Sequence, residues 1–158
     1  MEKYSRIKAL ISLDAIRYNF EQMKKNIKEG TKIIAVIKAD AYGHGAVPIA
    51  RMLEEFDYIW GFAAATAQEA LQLRRAGITR PILILGLVFE EYYKKLAEND
   101  VRMAVCDYET ARKFNKAAEE AGKKGLIHLA ADTGMTRIGF KDSEESLEEI
   151  RRIAALPN

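Results

Sequence analysis

Two short stretches of the sequence concentrate reactive side chains. The first is Ala35-Val36-Ile37-Lys38-Ala39-Asp40-Ala41-Tyr42-Gly43-His44-Gly45. Lys38 directly follows an apolar run, and lysine is rarely buried without a reason. Desolvation at the end of a buried strand favours a free amine. Such an amine can attack an aldehyde and form a Schiff base. Gly43 and Gly45 read as permitting close backbone approach to a ligand, and Tyr42 and His44 supply polar tips. On its own, Lys38 reads first as a strand-end cation in solvent, and His44 as a satisfied loop histidine. The second stretch is His128-Leu129-Ala130-Ala131-Asp132-Thr133-Gly134-Met135-Thr136-Arg137-Ile138-Gly139-Phe140. Its Arg137 could hold a carboxylate or a phenolate by charge-assisted bonds. An Asp132–Arg137 pair that merely pins a loop is an equal alternative.

Both stretches follow apolar runs, so the elements that position them come next. Short apolar runs alternate with amphipathic helical stretches along the chain. Ile7–Leu13 reads as a first short strand. Asp14–Ile27 reads as a helix, with Ile16, Phe20, Met23 and Ile27 on one face. Lys32–Ile37 is a continuous β-branched run, which predicts a strand buried on both faces. Ala39–Gly45 is then a loop and Ala46–Glu55 a short helix. Tyr58–Ala63, Ile82–Leu85, Arg102–Cys106 and Leu126–Ala131 read as further strands. Trp60 and Phe62 fall on one face of theirs by alternation, with core packing as the default role. Thr66 and Glu69 have capping-box spacing and open a helix ending near Gly77. Glu90–Ala97 is a helix, and Asp107 caps another running to Ala121. The last helix, Ser143–Leu156, is acidic at its start and basic at Arg151 and Arg152, as the helix dipole favours.

These are five strand–helix units after the first short run. That alternation implies a parallel α/β sheet with right-handed crossovers. An open doubly wound sheet and a (β/α)₈ barrel both fit it. No GxGxxG and no GxxxxGK[ST] occurs. In either architecture the chemistry collects at the C-terminal ends of the strands.

Composition narrows the function classes. The 158 residues carry 25 Lys plus Arg against 23 Asp plus Glu, a net charge of +2 with both signs mixed. That is not the basic stripe of a nucleic-acid-binding surface. Hydrophobic residues make up 49% and charged residues 30%, which excludes a disordered chain. No apolar run approaches the ~20 residues of a membrane span. Met1–Lys8 is polar and unlike a signal peptide. Cys106 is the only cysteine, which fits a reduced cytoplasmic compartment and reads as a core residue. No metal-ligand spacing is present. The acidic residues Glu144, Glu145, Glu148 and Glu149 read as a solvated helix face, with Glu148 spaced to pair with Arg152.

The Val36–Gly45 segment resembles the pyridoxal-phosphate attachment motif of bacterial alanine racemases. Asp132-Thr133-Gly134-Met135-x-Arg137-x-Gly139 resembles the second motif of the same family, at the expected separation. Similarity extends through Leu13-Asp14-Ala15-Ile16-Arg17-x-Asn19, through Gly61-Phe62-Ala63, and through Thr66 with Glu69-Ala70-Leu71-x-Leu73-Arg74. It covers essentially the whole chain. The resemblance implies a fold-type III enzyme with an N-terminal (β/α)₈ barrel and a β-rich C-terminal domain. It implies that Lys38 carries the cofactor as an aldimine and acts as one of two bases at the α-carbon of alanine. Tyr42 matches the tyrosine that contacts the cofactor phosphate. Arg137 matches the arginine near the phenolic oxygen and the substrate carboxylate. It also implies a homodimeric parent.

Some positions depart from the family. Ala130 stands where many members have a lysine that supports the arginine, so Asp132, an ion or water is expected to support Arg137. After Gly86 a proline-containing turn is replaced by Leu87-Val88-Phe89-Glu90, which reads as peripheral. A complete barrel needs about 250 residues, so residues 1–158 are expected to form an incomplete TIM-type barrel of about five units. The later phosphate-binding loops, the C-terminal domain and its tyrosine base then lie outside them. An isolated chain of this kind is expected to be inactive. Two other readings stay open: another fold-type III racemase, for serine or of broad specificity, and a non-catalytic or engineered partial barrel.

Overall fold

A computed structural model describes residues 7–158; Met1–Arg6, part of the polar N-terminal stretch, lie outside the described residues. Five strands form one sheet in the order β1-β2-β3-β4-β5: Ile33–Val36, Ile59–Ala64, Ile82–Ile84, Val101–Val105 and Ile127–Leu129. All four neighbouring pairs are parallel. This order decides between the two architectures. A right-handed crossover that always steps to the next strand in one direction puts every helix on the same face. The sheet is therefore singly wound, as in a barrel, and not doubly wound.

Between the strands lie α3 (Ala46–Leu53), α4 (Ala67–Arg75), α5 (Tyr93–Glu98, preceded by a 3₁₀ turn Glu90–Tyr92) and α6 (Tyr108–Glu120). Helix α1 (Leu13–Lys25) precedes the sheet and α7 (Glu144–Ala154) follows it. Local signals start the helices as the sequence suggests. Asp107 accepts the Thr110 N–H at 2.7 Å and caps α6. Thr66 and Glu69 form a reciprocal capping box at α4. Ser143 caps α7. One expectation fails here. Ile7–Ser12 is irregular, and Leu13 already belongs to α1, because Ser12 accepts the Ala15 N–H at 3.2 Å and turns the chain into the helix. Ile7 and Leu10 stay 88% and 92% exposed.

The core lies between the sheet and its helices. Ala35, Ile59, Phe62, Ile82, Ile84, Val101, Met103 and Val105 meet Leu53, Leu71, Leu96 and Phe114 there. The opposite, concave face has no such layer among the described residues. Ile34 and Val36 are 37% and 42% exposed, so β1 is buried on one face and not on both. Its burial alternates because helices cover only one side of the sheet.

Strand β2 carries a bulge. Ile33 and Ile34 are consecutive but oppose Ile59 and Gly61, so Trp60 is the extra residue. This separates two aromatics that simple alternation puts together. Phe62 faces the helices and is fully buried, while Trp60 meets Arg102 and His128, whose paired neighbours Leu83 and Ala104 lie on the concave side. Gly61 is obligatory beside the bulge: a Cβ there would sit 2.3 Å from the Pro81 carbonyl oxygen.

Candidate active site

Lys38 opens directly off β1. The expected loop after it is a left-handed helical turn, α2 (Lys38–Tyr42). Ala39, Asp40 and Ala41 sit near φ +50°, ψ +47°, and Tyr42 follows at φ +55°. Hydrogen bonds close the turn, from Ala41 N–H to the Ile37 carbonyl and from Gly43 N–H to the Ala39 carbonyl. An L-residue in this conformation costs about 1–2 kcal/mol, so neighbours must hold it. Asp40 Oδ1 accepts the Ala46 N–H at 2.7 Å, tying the turn to α3. The His44 ring Nδ1 lies 2.9 Å from the Ala41 carbonyl oxygen, the satisfied loop role. Gly43 and Gly45 take φ +85° and +91°, a left-handed conformation that favours glycine. A Cβ on Gly43 would meet nothing within 4 Å.

The second stretch forms a loop pinned at its neck. Asp132 N–H donates to the Phe140 carbonyl and Phe140 N–H to the Ala130 carbonyl, at 2.9 and 2.8 Å. Gly139 makes that neck possible, since a Cβ there would lie 2.6 Å from the Asp132 nitrogen. Asp132 does not support Arg137. Its Oδ1 accepts the Gly134 and Thr136 N–H groups at 3.0 and 2.9 Å. Those backbone bonds, Thr136 first, hold its carboxyl below the ordinary carboxylate range. The Asp132–Arg137 pair does not form among the described residues.

Lys38 and Arg137, almost a hundred residues apart, line one cavity of about 530 Å³ together with Ala65, Leu85, Gly86, Leu87 and Ile138. Lys38 is half-buried and Arg137 exposed. Among the described residues neither side chain makes a hydrogen bond or an ion pair. The Lys38 Nζ lies 6.0 Å from the centroid of the Tyr42 ring. Tyr42 itself is 60% exposed and does not line the cavity. The sequence reading therefore found two cavity residues and a neighbour. It missed the wall of Leu85, Gly86 and Leu87, and Leu87 is not peripheral. The signal was available, because this wall follows the C-terminal end of β3.

Cys106 is half-buried just past β4, and burial with Asp107 beside it pushes its thiol up, away from nucleophilic use. Glu148 pairs with Arg151 at 3.3 Å, while Arg152 lies over the Tyr108 ring at 3.7 Å. Glu149 is half-buried and accepts the Tyr108 N–H at 3.2 Å, so it is not simply solvated. Among the described residues no helix is long and apolar enough to cross a membrane, and no group of three His, Cys, Asp or Glu is placed to hold a metal.

A singly wound parallel sheet with an unpaired lysine and an unpaired arginine side chain at its C-terminal rim defines a class: a barrel-type α/β domain with a polar cavity at the strand ends. Comparison with known proteins makes this specific. The family described as "Alanine racemase, N-terminal domain" matches residues 11–158, and the chain belongs to that family. An alanine racemase of Methanococcus maripaludis is 41% identical over 150 residues, 95% of this chain and 40% of the relative. The solved alanine racemase of Clostridium difficile 630 in complex with cycloserine is 44% identical with a TM-score of 0.90, over 93% of this chain and 40% of that one. A histidine racemase from Leuconostoc mesenteroides is 33% identical with a TM-score of 0.80, over 92% of this chain and 39% of that one. The chain thus spans about two fifths of the length of the relatives it matches.

Proposed function

We propose that this chain is the cofactor-bearing barrel portion of a pyridoxal-phosphate-dependent alanine racemase. One observation carries the reading: the unpaired Lys38 amine and Arg137 guanidinium share one cavity. The cavity suits the cofactor. Leu85, Leu87 and Ile138 offer apolar walls for a flat ring. Gly86 lines the cavity beside Ala65, where a Cβ would lie 3.2 Å from the Ala65 carbonyl oxygen. When bound, the cofactor supplies an electron sink for charge developing at the α-carbon of an amino acid.

In this reading Lys38 would hold the cofactor aldehyde through its amine and would move a proton at the substrate α-carbon on its own face. Arg137 orients by binding the substrate carboxylate or the phenolic oxygen. Tyr42, exposed beside the Lys38 amine, would contact the phosphate. The apolar walls exclude water. Inversion needs a second base on the opposite face, and a homodimer of a longer racemase is proposed to bring it. The domain assignment, residues 1–158 as the N-terminal barrel portion, and a cytoplasmic setting belong to the same proposal.

Adding pyridoxal phosphate, reducing with borohydride and digesting tests this. The expected result is a pyridoxyl group on the peptide containing Lys38, absent in Lys38→Ala. Labelling spread over surface lysines, or none, rejects it for this chain. The likeness to a histidine racemase marks the competing substrate. Racemisation rates across amino acids, measured on a full-length form of the protein, decide between them, with alanine expected to be fastest.

A further inference from the structure

The capping box at α4 needs only one carboxylate oxygen, and Glu69 uses two. Its Oε2 accepts the N–H groups of Ala65 and Thr66 at 2.8 and 3.3 Å, at the end of β2 and the start of α4. Its Oε1 accepts the N–H of Ala39 at 2.8 Å, thirty residues back along the chain. Ala39 immediately follows Lys38 and is the first residue of the left-handed turn, at φ +49°. Left-handed backbone is disfavoured for alanine, so a charged acceptor on its N–H opposes relaxation of the turn. A carboxylate held by three backbone N–H groups strengthens each of those bonds.

We propose that Glu69 is a positioning residue for Lys38: it fixes the turn that aims the amine into the cavity, and helix capping is its second role. This rests on the reading of Lys38 as the cofactor-binding lysine. The turn sets two things at once. It fixes the direction in which Lys38 leaves β1, and it folds Tyr42 back beside the amine. A carboxylate spanning the ends of β1 and β2 thereby couples two neighbouring strand ends to one side chain.

Two variants separate positioning from capping. Glu69→Ala removes both roles. Thr66→Ala removes the capping hydroxyl, which accepts the Glu69 N–H at 3.3 Å, and leaves the carboxylate in place. Both are expected to lower the melting temperature of the 158-residue chain. Only Glu69→Ala should speed hydrogen exchange at the Ala39 amide, by about tenfold for the loss of one bond to a charged group. Only it should cut the pyridoxyl label at Lys38 several-fold at sub-saturating pyridoxal phosphate. Equal changes in both variants, or none in Glu69→Ala, overturn the proposal. Glu69→Gln keeps the size of the side chain but offers one carbonyl oxygen to two loops. Label yield must fall with Ala39 exchange across the wild type, Gln and Ala series, and a yield that stays constant while exchange quickens counts against positioning.

Failure of the cofactor reading looks different, because there the wild-type chain takes no label at Lys38. Positioning is then read from acetylation of the Lys38 amine by acetic anhydride, relative to the other lysines. That ratio is expected to change in Glu69→Ala and not in Thr66→Ala; an unchanged ratio in Glu69→Ala overturns it.

Discussion

Single residues show how closely the backbone constrains side-chain choice. Gly61 and Gly139 sit where a Cβ would overlap backbone atoms, at 2.3 and 2.6 Å. Gly61→Ala is expected to cost about 3 kcal/mol in chemical denaturation, the upper range for overpacking. His128 offers a pH signature. Burial, and then the charge of Arg102 beside it, hold this histidine below its ordinary value of 6.5. The unfolded chain therefore takes up the proton first as the pH falls. Stability contributed by the neutral ring is complete above about pH 7 and declines as the pH drops through 6.5, levelling below the folded value. His128→Phe should flatten that decline in unfolding curves compared at pH 7.5 and 5.5; a slope that persists would place its origin elsewhere. That Lys38 and Arg137 meet at the rim of the sheet was legible from their position after apolar runs. The second function of Glu69 was not, because its Ala39 contact spans thirty residues and nothing in local spacing encodes it.

At the scale of elements, the capped helices and all five parallel strands followed closely from local signals. Asp107→Ala removes bonds to the Thr110 N–H and hydroxyl at 2.7 and 2.8 Å. It should cost about 1 kcal/mol of stability and leave labelling at Lys38 unchanged, since α6 starts beyond the cavity lining. Three features escaped the sequence for physical reasons. The left-handed turn is made of Ala39, Asp40, Ala41 and Tyr42, and alanine is the best right-handed helix former; tertiary bonds override that preference. The bulge at Trp60 depends on pairing with β1, which no single strand announces. The apolar alternation in Ile7–Leu13 looked like a strand, but a capping serine at Ser12 decided for a helix.

For the whole molecule, the strand order is the informative fact. Among the described residues, strands β1 and β5 each pair on one side only, which leaves the sheet two open edges and a concave face on which Ile34 and Val36 are exposed. Arg102 adds a buried Nε without a partner on that side of the sheet. Unprotected parallel edges recruit further strands. Sedimentation velocity of the 158-residue chain should show self-association that rises with concentration and weakens in Ile34→Lys. A monomer at every concentration would mean that the edges are protected by their own twist. Periodicity alone left two architectures open; the sequential order of the strands, a non-local property, closed the choice.

The turn after Lys38 has a stereochemical consequence. At φ +49° and ψ +48°, Ala39 occupies the mirror image of the ordinary helical basin. A D-alanine installed there by chemical ligation would occupy its own preferred basin and should raise stability by about 1–2 kcal/mol. The backbone beside the lysine thus favours, at that position, the hand of amino acid that ribosomes do not supply.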